Sequence, residues 1–304
     1  MKYTNTYNLP SSIADAITKE TYDLNQLDTN LISVTSLINA PIVHQLFRRQ
    51  YDEIEEDLSE NVWRLLGSAV HSVLELTDKP DRLVEERINV KVGDVFVSGK
   101  PDLYEAGNIV SDYKVTSAWA ILYRDKDKDK KWEKQLNCYA YLYRKAGFTV
   151  ERLRVIAILR DWQKAKAQGD KGGYPQIPIA VVEIPLWTIE EQEEYVKERV
   201  NLHAEAKDVA TKQLIPCSPE ERWHDDNSFA VFKNKNKTAT RVFKSRKEAN
   251  NFCFDHNNGK DIFSVTERRG VDKKCVNYCS VNRWCEFYKS NYPTCVCGEK
   301  GETK

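Results

Sequence analysis

Between Val62 and Leu159 the period of the apolar residues changes three times, and that succession leaves few folds open. From Val62 to Leu76, Leu65, Leu66, Val70, Val73, Leu74 and Leu76 recur at helical spacing. Ile88, Val90 and Val92 then alternate with polar residues, and Val95 and Val97 alternate again after Gly93-Asp94. This predicts a hairpin with a two-residue turn. Asp102–Glu105 and Ile109–Val115 predict a second hairpin around Gly107-Asn108. Lys131–Ala146 returns to a helical period closed by Gly147, and Val155–Leu159 is a nearly continuous apolar run expected as a buried strand. Helix, paired strands, helix and strand in this order predict an α/β fold, with a central mixed β-sheet flanked by helices.

The flanks extend the pattern. Ser33–Gln50 reads as a helix broken near Pro41, Ile177–Ile184 as a strand, and Thr188–Val209 as a helix opened by a Thr188/Glu191 capping box. Arg124–Lys131 alternates acid and base and is expected to be a solvated loop. Past Lys212 the chain shifts to short elements, basic residues and cysteines. Three stretches are therefore expected: an N-terminal extension over 1–30, a core over 31–211, and a basic, Cys-rich C-terminal subdomain over 212–304.

Net charge excludes nothing, because 46 Lys+Arg balance 46 Asp+Glu. Distribution is more informative: Tyr51–Glu60 has six acids and no base, whereas Val231–Lys247 has seven Lys/Arg and no acid. Lys233, Lys235, Lys237 and Arg241, interleaved with Phe232 and Phe243, are candidates for contacting nucleic acid from a pair of strands, against the plainer reading of a solvated hairpin. Met1–Pro10 is polar, without a secretory h-region, and no run of about 18 apolar residues occurs, so a cytoplasmic, non-membrane protein is expected. In a reducing compartment eight cysteines suggest metal ligation before disulfides.

Four short signals carry the chemistry: Gly67-x-x-x-His71, Gly99-Lys100-Pro101-Asp102, Asp112-Tyr113-Lys114 and Gln135-x-x-x-Tyr139. On a strand Asp112 and Lys114 share a face while Tyr113 points away, and Asp102 belongs to the neighbouring strand. Two carboxylates and an ammonium at one end of a sheet suit Mg²⁺ or Mn²⁺. His71 could add a nitrogen ligand from one face of its helix, with Gly67 leaving room for an approaching strand and Glu75 supplying an outer carboxylate. Gln135 and Tyr139 offer neutral hydrogen bonds one helical turn apart. Taken singly, each signal is most simply a surface ion pair, a satisfied histidine or an amphipathic helix.

As an ordered set, over about Ser33–Arg160, they resemble the PD-(D/E)xK nuclease superfamily, specifically its RecB-like branch. The resemblance implies a restriction-endonuclease-like core and a Mg²⁺- or Mn²⁺-dependent deoxyribonuclease. It places Asp102, Asp112 and Lys114 at the centre, His71, Asp102 and Asp112 on the metal, and Gln135 and Tyr139 positioning substrate. One departure is mild: Asp112 stands where many relatives have Glu. Removing Asp112 or Lys114 is expected to abolish cleavage with little effect on folding, on the reading that both face solvent.

Cys275-x₃-Cys279-x₅-Cys285 is the tightest cysteine grouping, with Cys295 and Cys297 beyond it. Three close thiols suggest a soft-metal site. The set resembles the [4Fe–4S] ligands of iron–sulfur, phage-type RecB-like nucleases, although its first spacing is one residue longer than usual and Ala40-Pro41 stands where relatives have an upstream Cys-Pro. Cys217 is the preferred fourth ligand, Cys253 the second choice, and Cys138 reads as a buried apolar residue; Zn²⁺ is the alternative occupant. The preferred function is an exonuclease acting on single-stranded DNA or DNA ends in recombination, repair or phage DNA processing, with a recombinase or helicase as possible partner. The alternatives are a CRISPR-associated or restriction-type endonuclease, and a silent, metal-stapled DNA-binding protein.

Overall fold

The computed structural model describes residues 1–19, 30–76, 82–123, 130–169 and 173–293. The chain opens with β1 (Lys2–Thr4) and α1 (Ser11–Lys19). β2 (Leu31–Ser33) runs directly into α2 (Val34–Leu37), because Ser33 has an extended backbone and its hydroxyl accepts from the Ser36 amide. Pro41 then starts α3 (Pro41–Arg49) at the first helical position, where its missing N–H removes no helical bond. The helix expected over Ser33–Gln50 is thus two helices behind a strand. β3 (Glu55–Asp57) pairs in parallel with β1 and ties the N-terminal residues to the segment just before the next long helix.

α4 (Val62–Glu75) matches the expected helix, yet none of its residues is fully buried. Five strands come next: β4 (Arg82–Val84), β5 (Ile88–Val92), β6 (Val95–Gly99), β7 (Leu103–Glu105) and β8 (Ile109–Thr116). α5 (Ala118–Leu122) and α6 (Lys131–Lys145) then carry the chain across to β9 (Arg152–Leu159). α6 ends as expected: Gly147 takes φ +92°, its amide bonds the Arg144 carbonyl, and the Phe148 amide bonds the Tyr143 carbonyl. Most of the charged loop expected over Arg124–Lys131 lies outside the described residues.

The central sheet has the order β10-β9-β8-β7-β4, after α7 (Lys164–Gly169) and β10 (Ile179–Ile184) complete it. β8 and β9 are parallel and the other neighbours antiparallel, so the sheet is mixed. A parallel pair needs a crossover, and α5 and α6 supply it. The first hairpin forms in the expected register, Val92 opposite Val95, but joins β2 in a separate three-stranded sheet. The chain changes sheets at Gly99-Lys100-Pro101. A Cβ at Gly99 would collide with the Leu142 side chain and lie 3.0 Å from the Tyr139 ring of α6, so any larger residue would require those buried side chains to shift.

β9 alternates where a continuously buried strand was expected. Leu153, Val155, Ala157 and Leu159 enter the main core, while Ile156 and Ile158 pair with the exposed Val181 and Ile179 of edge strand β10. α8 (Ile189–Lys207) carries the expected capping box. It packs on α6 through Asn137, whose amide oxygen accepts from the Trp187 amide at 2.9 Å and Gln192 Nε2 at 3.0 Å, and whose Nδ2 donates to the Glu133 and Pro185 carbonyls. Every polar atom of this buried side chain is used.

Past α8 the chain builds a small unit with its own core. β11 (Ser228–Lys233), β12 (Arg241–Phe243), α9 (Arg246–His256) and β13 (Phe263–Arg268) form an antiparallel sheet, order β12-β11-β13, covered by the helix. Val231, Ala249 and Cys253 centre that core, ringed by Phe229, Phe243, Phe252 and Phe263. Two short helices, α10 (Lys273–Asn277) and α11 (Glu286–Asn291), close the described chain. A third core joins α3 to this end through Ala40, Ile42, Leu46, Ile54, Leu214 and Val281. Among the described residues no helix is long and apolar enough to cross a membrane.

Candidate active site

Four elements deliver polar groups to one corner of the central sheet. Register sets the first contact: Leu103 of β7 lies opposite Ser111 of β8, so Asp102 reaches the next residues of β8 and its Oδ2 accepts the Tyr113 amide at 2.6 Å. The other carboxylate oxygen, Oδ1, lies 3.2 Å from His71 Nδ1 on α4. This contact holds the His71 imidazole pKa above its ordinary value, against the opposing effect of burial.

A third carboxylate completes the group, and it is one that no sequence signal marked. Glu85 follows β4 in a left-handed conformation, φ +51°, and its amide bonds the Asp102 carbonyl at 3.1 Å. Its Oε1 stands 3.8 Å from His71 Nδ1, and its other oxygen pairs with Lys100. One ligand atom each from His71, Glu85 and Asp102 lie within 4.8 Å of one another, a nitrogen and two hard oxygens of the kind a divalent cation accepts. Glu75, expected as the outer carboxylate, is exposed near the end of α4. At Gly67 an added Cβ would meet nothing within 4 Å, so packing does not require the glycine.

Asp112 and Lys114 share a face of β8, with Lys114 Nζ 2.5 Å from Asp112 Oδ2. Asp112 is only 2% exposed, a correction to the solvent-facing position expected for it. Burial pushes its carboxyl pKa up, while the Lys114 ammonium pulls the other way. Oδ2 is sealed from water and, beyond that ion-pair contact, has no aligned hydrogen bond. Such an atom has capacity left for a cation. Oδ1 accepts from Gln135 Nε2 at 3.3 Å, and the same nitrogen lies 3.0 Å from Tyr139 Oη.

The expected residues therefore meet as one group. The β7–β8 register carries Asp102 opposite Asp112, and the charges of Asp112 and Lys114 act on His71 while those of Asp102 and His71 act on Asp112. Gln135 holds Asp112 from α6, and the His71 and Tyr113 rings meet edge-on with centroids 6.2 Å apart. Gln135 and Tyr139 are both buried beside Asp112 and brace that carboxylate.

Four cysteines also converge. Cys217, Cys279 and Cys285 pack on the core that joins α3 to the C-terminal end. Cys217 feels the charges of Cys275 and Cys279, and Cys275 those of Cys279 and Cys285. Burial pushes the Cys217 and Cys275 thiols up to about 12. Cys253 belongs instead to the core under α9, and Cys138 is buried within α6. Cys295 and Cys297 lie outside the described residues.

The basic residues sit on the small C-terminal sheet. Lys233 pairs with Asp261 at 2.7 Å, Lys235 and Lys237 are exposed between β11 and β12, and Arg241 lies over the Phe243 and Phe252 rings.

No protein-family model matches this sequence, and no curated protein matches it. Solved structures similar to the chain include SSO0001, at 18% identity and TM-score 0.41 over 64% of this chain and 87% of that one. A phage-related exonuclease from Haemophilus somnus 129PT is similar at 16% identity and TM-score 0.38, over 61% of this chain and 96% of its own. An alkaline exonuclease from Laribacter hongkongensis is similar at 11% identity and TM-score 0.35, over 59% and 90% respectively.

Proposed function

We propose that this chain is a Mg²⁺- or Mn²⁺-dependent deoxyribonuclease, an exonuclease of the RecB-like PD-(D/E)xK kind that hydrolyses phosphodiesters at DNA ends. What supports the reading is that His71, Glu85 and Asp102 offer ligand atoms within 4.8 Å of one another, and that the charges of Asp112 and Lys114 on β8 act on His71. His71, Glu85 and Asp102 would hold the ion, with Asp112 beside them as a further oxygen donor. When bound, a divalent ion polarises the scissile phosphate and acidifies a water molecule.

The remaining chemistry belongs to side chains of this protein. Lys114, about a quarter exposed, can turn its ammonium from Asp112 toward an incoming phosphate and offset charge that develops on the phosphoryl oxygens. Gln135 fixes the rotamer of Asp112 and is itself set by Tyr139, whose hydroxyl burial holds firmly in the neutral form. Lys235 and Lys237 would meet DNA phosphates away from this corner.

The same proposal assigns a [4Fe–4S] cluster to Cys217, Cys275, Cys279 and Cys285. Zn²⁺ is the alternative occupant of the same four thiols.

The test is a digest of linear and circular DNA, each in single-stranded and duplex form, with Mg²⁺ or Mn²⁺, beside Lys114→Ala. An exonuclease degrades the linear form and leaves the circle, and Lys114→Ala degrades neither. Cleavage of the circle favours an endonuclease, and parent-level cleavage by Lys114→Ala refutes the site. Visible absorption and iron content of anaerobically purified protein decide the cluster.

A further inference from the structure

The elements that carry the hydrolytic groups also carry large exposed rings. β8 bears Asp112 and Lys114 and leads straight into α5, where Trp119 and Tyr123 stack face to face, centroids 5.1 Å apart and planes 6° from parallel. Trp119 is 55% and Tyr123 45% exposed. α5 is short but firmly placed: the Ser117 hydroxyl accepts the Ala120 amide, and Asp161 Oδ1 accepts the Ala118 amide at 2.7 Å. α4 bears His71 and, two turns earlier, Trp63, which is 57% exposed. The Arg160 guanidinium lies 4.4 Å from the centre of the Trp63 ring, and the Arg160 amide bonds the Thr116 carbonyl at the end of β8. Eight residues of helix separate Trp63 from His71, about 12 Å along the axis.

Nothing in the packing of the core calls for these rings. They are large, flat and wet, and two are pre-stacked. A double helix hides its base faces inside, so along DNA the rings suit unpaired bases, whose faces are open to stack. The guanidinium adds a cation and a second stacking plane where a sugar-phosphate chain would pass.

We infer that Trp63, Arg160, Trp119 and Tyr123 form a stacking platform for an unpaired DNA strand beside the His71–Asp102 corner. This rests on the nuclease reading and sharpens it. The substrate is single-stranded DNA or a frayed end, and the platform feeds that strand toward Lys114.

Binding of a fluorescent oligothymidylate and of a blunt hairpin duplex to the full chain, in EDTA so that nothing is cut, tests the idea. Trp119→Ala is expected to weaken oligothymidylate binding about ten-fold and to leave duplex binding unchanged, and Trp63→Ala to act in the same direction. Trp119→Phe should keep most of the affinity, because a ring face remains. Thermal midpoints equal to the parent's show that the variants are folded.

The inference is overturned if the parent has no affinity for the oligonucleotide, or if folded Trp119→Ala binds it as the parent does. It is also overturned if single-strand and duplex affinity fall together, or if the substitution alters self-association instead, which would make the surface a protein interface. The two proposals fail separately. A protein that needs Trp119 for single strands but cuts no DNA refutes the nuclease; one that cuts normally without Trp119-dependent binding refutes the platform.

Discussion

The carboxylate corner and the cysteine cluster are built on opposite plans. The corner draws on residues 71–114 and is set by ladder hydrogen bonds: Asp102 bonds the backbone of β8, and Glu85 bonds the backbone of Asp102. Its side chains are placed before any cation arrives. Of the four cysteines only Cys275 lies in a helix, α10; Cys217 and Cys279 lie in loops and Cys285 just before α11, with Cys217 lying 58 residues before Cys275 in the sequence. They rest on a small core of six buried residues. On the proposed reading the corner would use its ion for reaction, and the cysteines theirs for cohesion.

Metal loss is therefore expected to have its largest effect at the thiol end. Binding energy at a structural site is folding energy, on the order of 10 kcal/mol. Cys275→Ser combined with Cys279→Ser should expose the chain beyond about residue 212 to limited proteolysis and lower the thermal midpoint, whereas Mg²⁺ removal should leave that midpoint unchanged. Equal sensitivity of the two sites would erase the distinction.

Next comes Asp112→Asn, which should cut cleavage about 100- to 1,000-fold. Because the fold bears a desolvated carboxylate there, the thermal midpoint should stay or rise. A sharp fall in stability would instead make Asp112 a structural ion-pair partner of Lys114.

His203 tests how α8 is held against the turn between α2 and α3. Its ring nitrogen meets the Leu37 and Asn39 carbonyls, and burial, with His44 and Arg199 nearby, depresses its pKa from 6.5 to about 3. The unfolded chain thus takes up a proton that the native state refuses. This contribution to stability is complete above about pH 6.5 and is lost as pH falls from there toward 3, by at most about 1.4 kcal/mol per pH unit. Chemical denaturation of His203→Gln between pH 7 and 5 should show a flatter decline than the parent; parallel lines would exclude His203.

The smallest effect is expected at Glu85. Glu85→Gln should raise the Mg²⁺ needed for half-maximal cleavage about ten-fold while leaving the rate at saturation near the parent value. An unchanged metal requirement would reduce Glu85 to a partner of Lys100.

Legibility in the sequence tracked the range of the forces involved. The Gly93-Asp94 hairpin, the Thr188 capping box, the Gly147 helix end and the Asp112–Lys114 pair all rest on contacts within a few residues, and each was readable. Glu85 was not. It follows a three-residue strand too short to show a period, and only the pairing of Val84 with Leu103 brings it to Asp102. Nor was the brace on Asp112, because the meeting of α6 with β8 through Gln135 is a tertiary fact. α4 showed the reverse: its amphipathic period was clear, yet none of its apolar residues is fully buried, and Leu66 and Val73 stay exposed.

The chain leaves the cysteine cluster after Cys217 and returns at Cys275 almost to its starting point. His224 bridges to Asp272, the Asp225 amide bonds the Val271 carbonyl, and Arg222 pairs with Asp272 at 3.0 Å. The little sheet and its helix hang from that neck like a lobe on a stalk. Such a lobe can be exchanged, enlarged or deleted in evolution while the stalk, and everything below it, keeps its course.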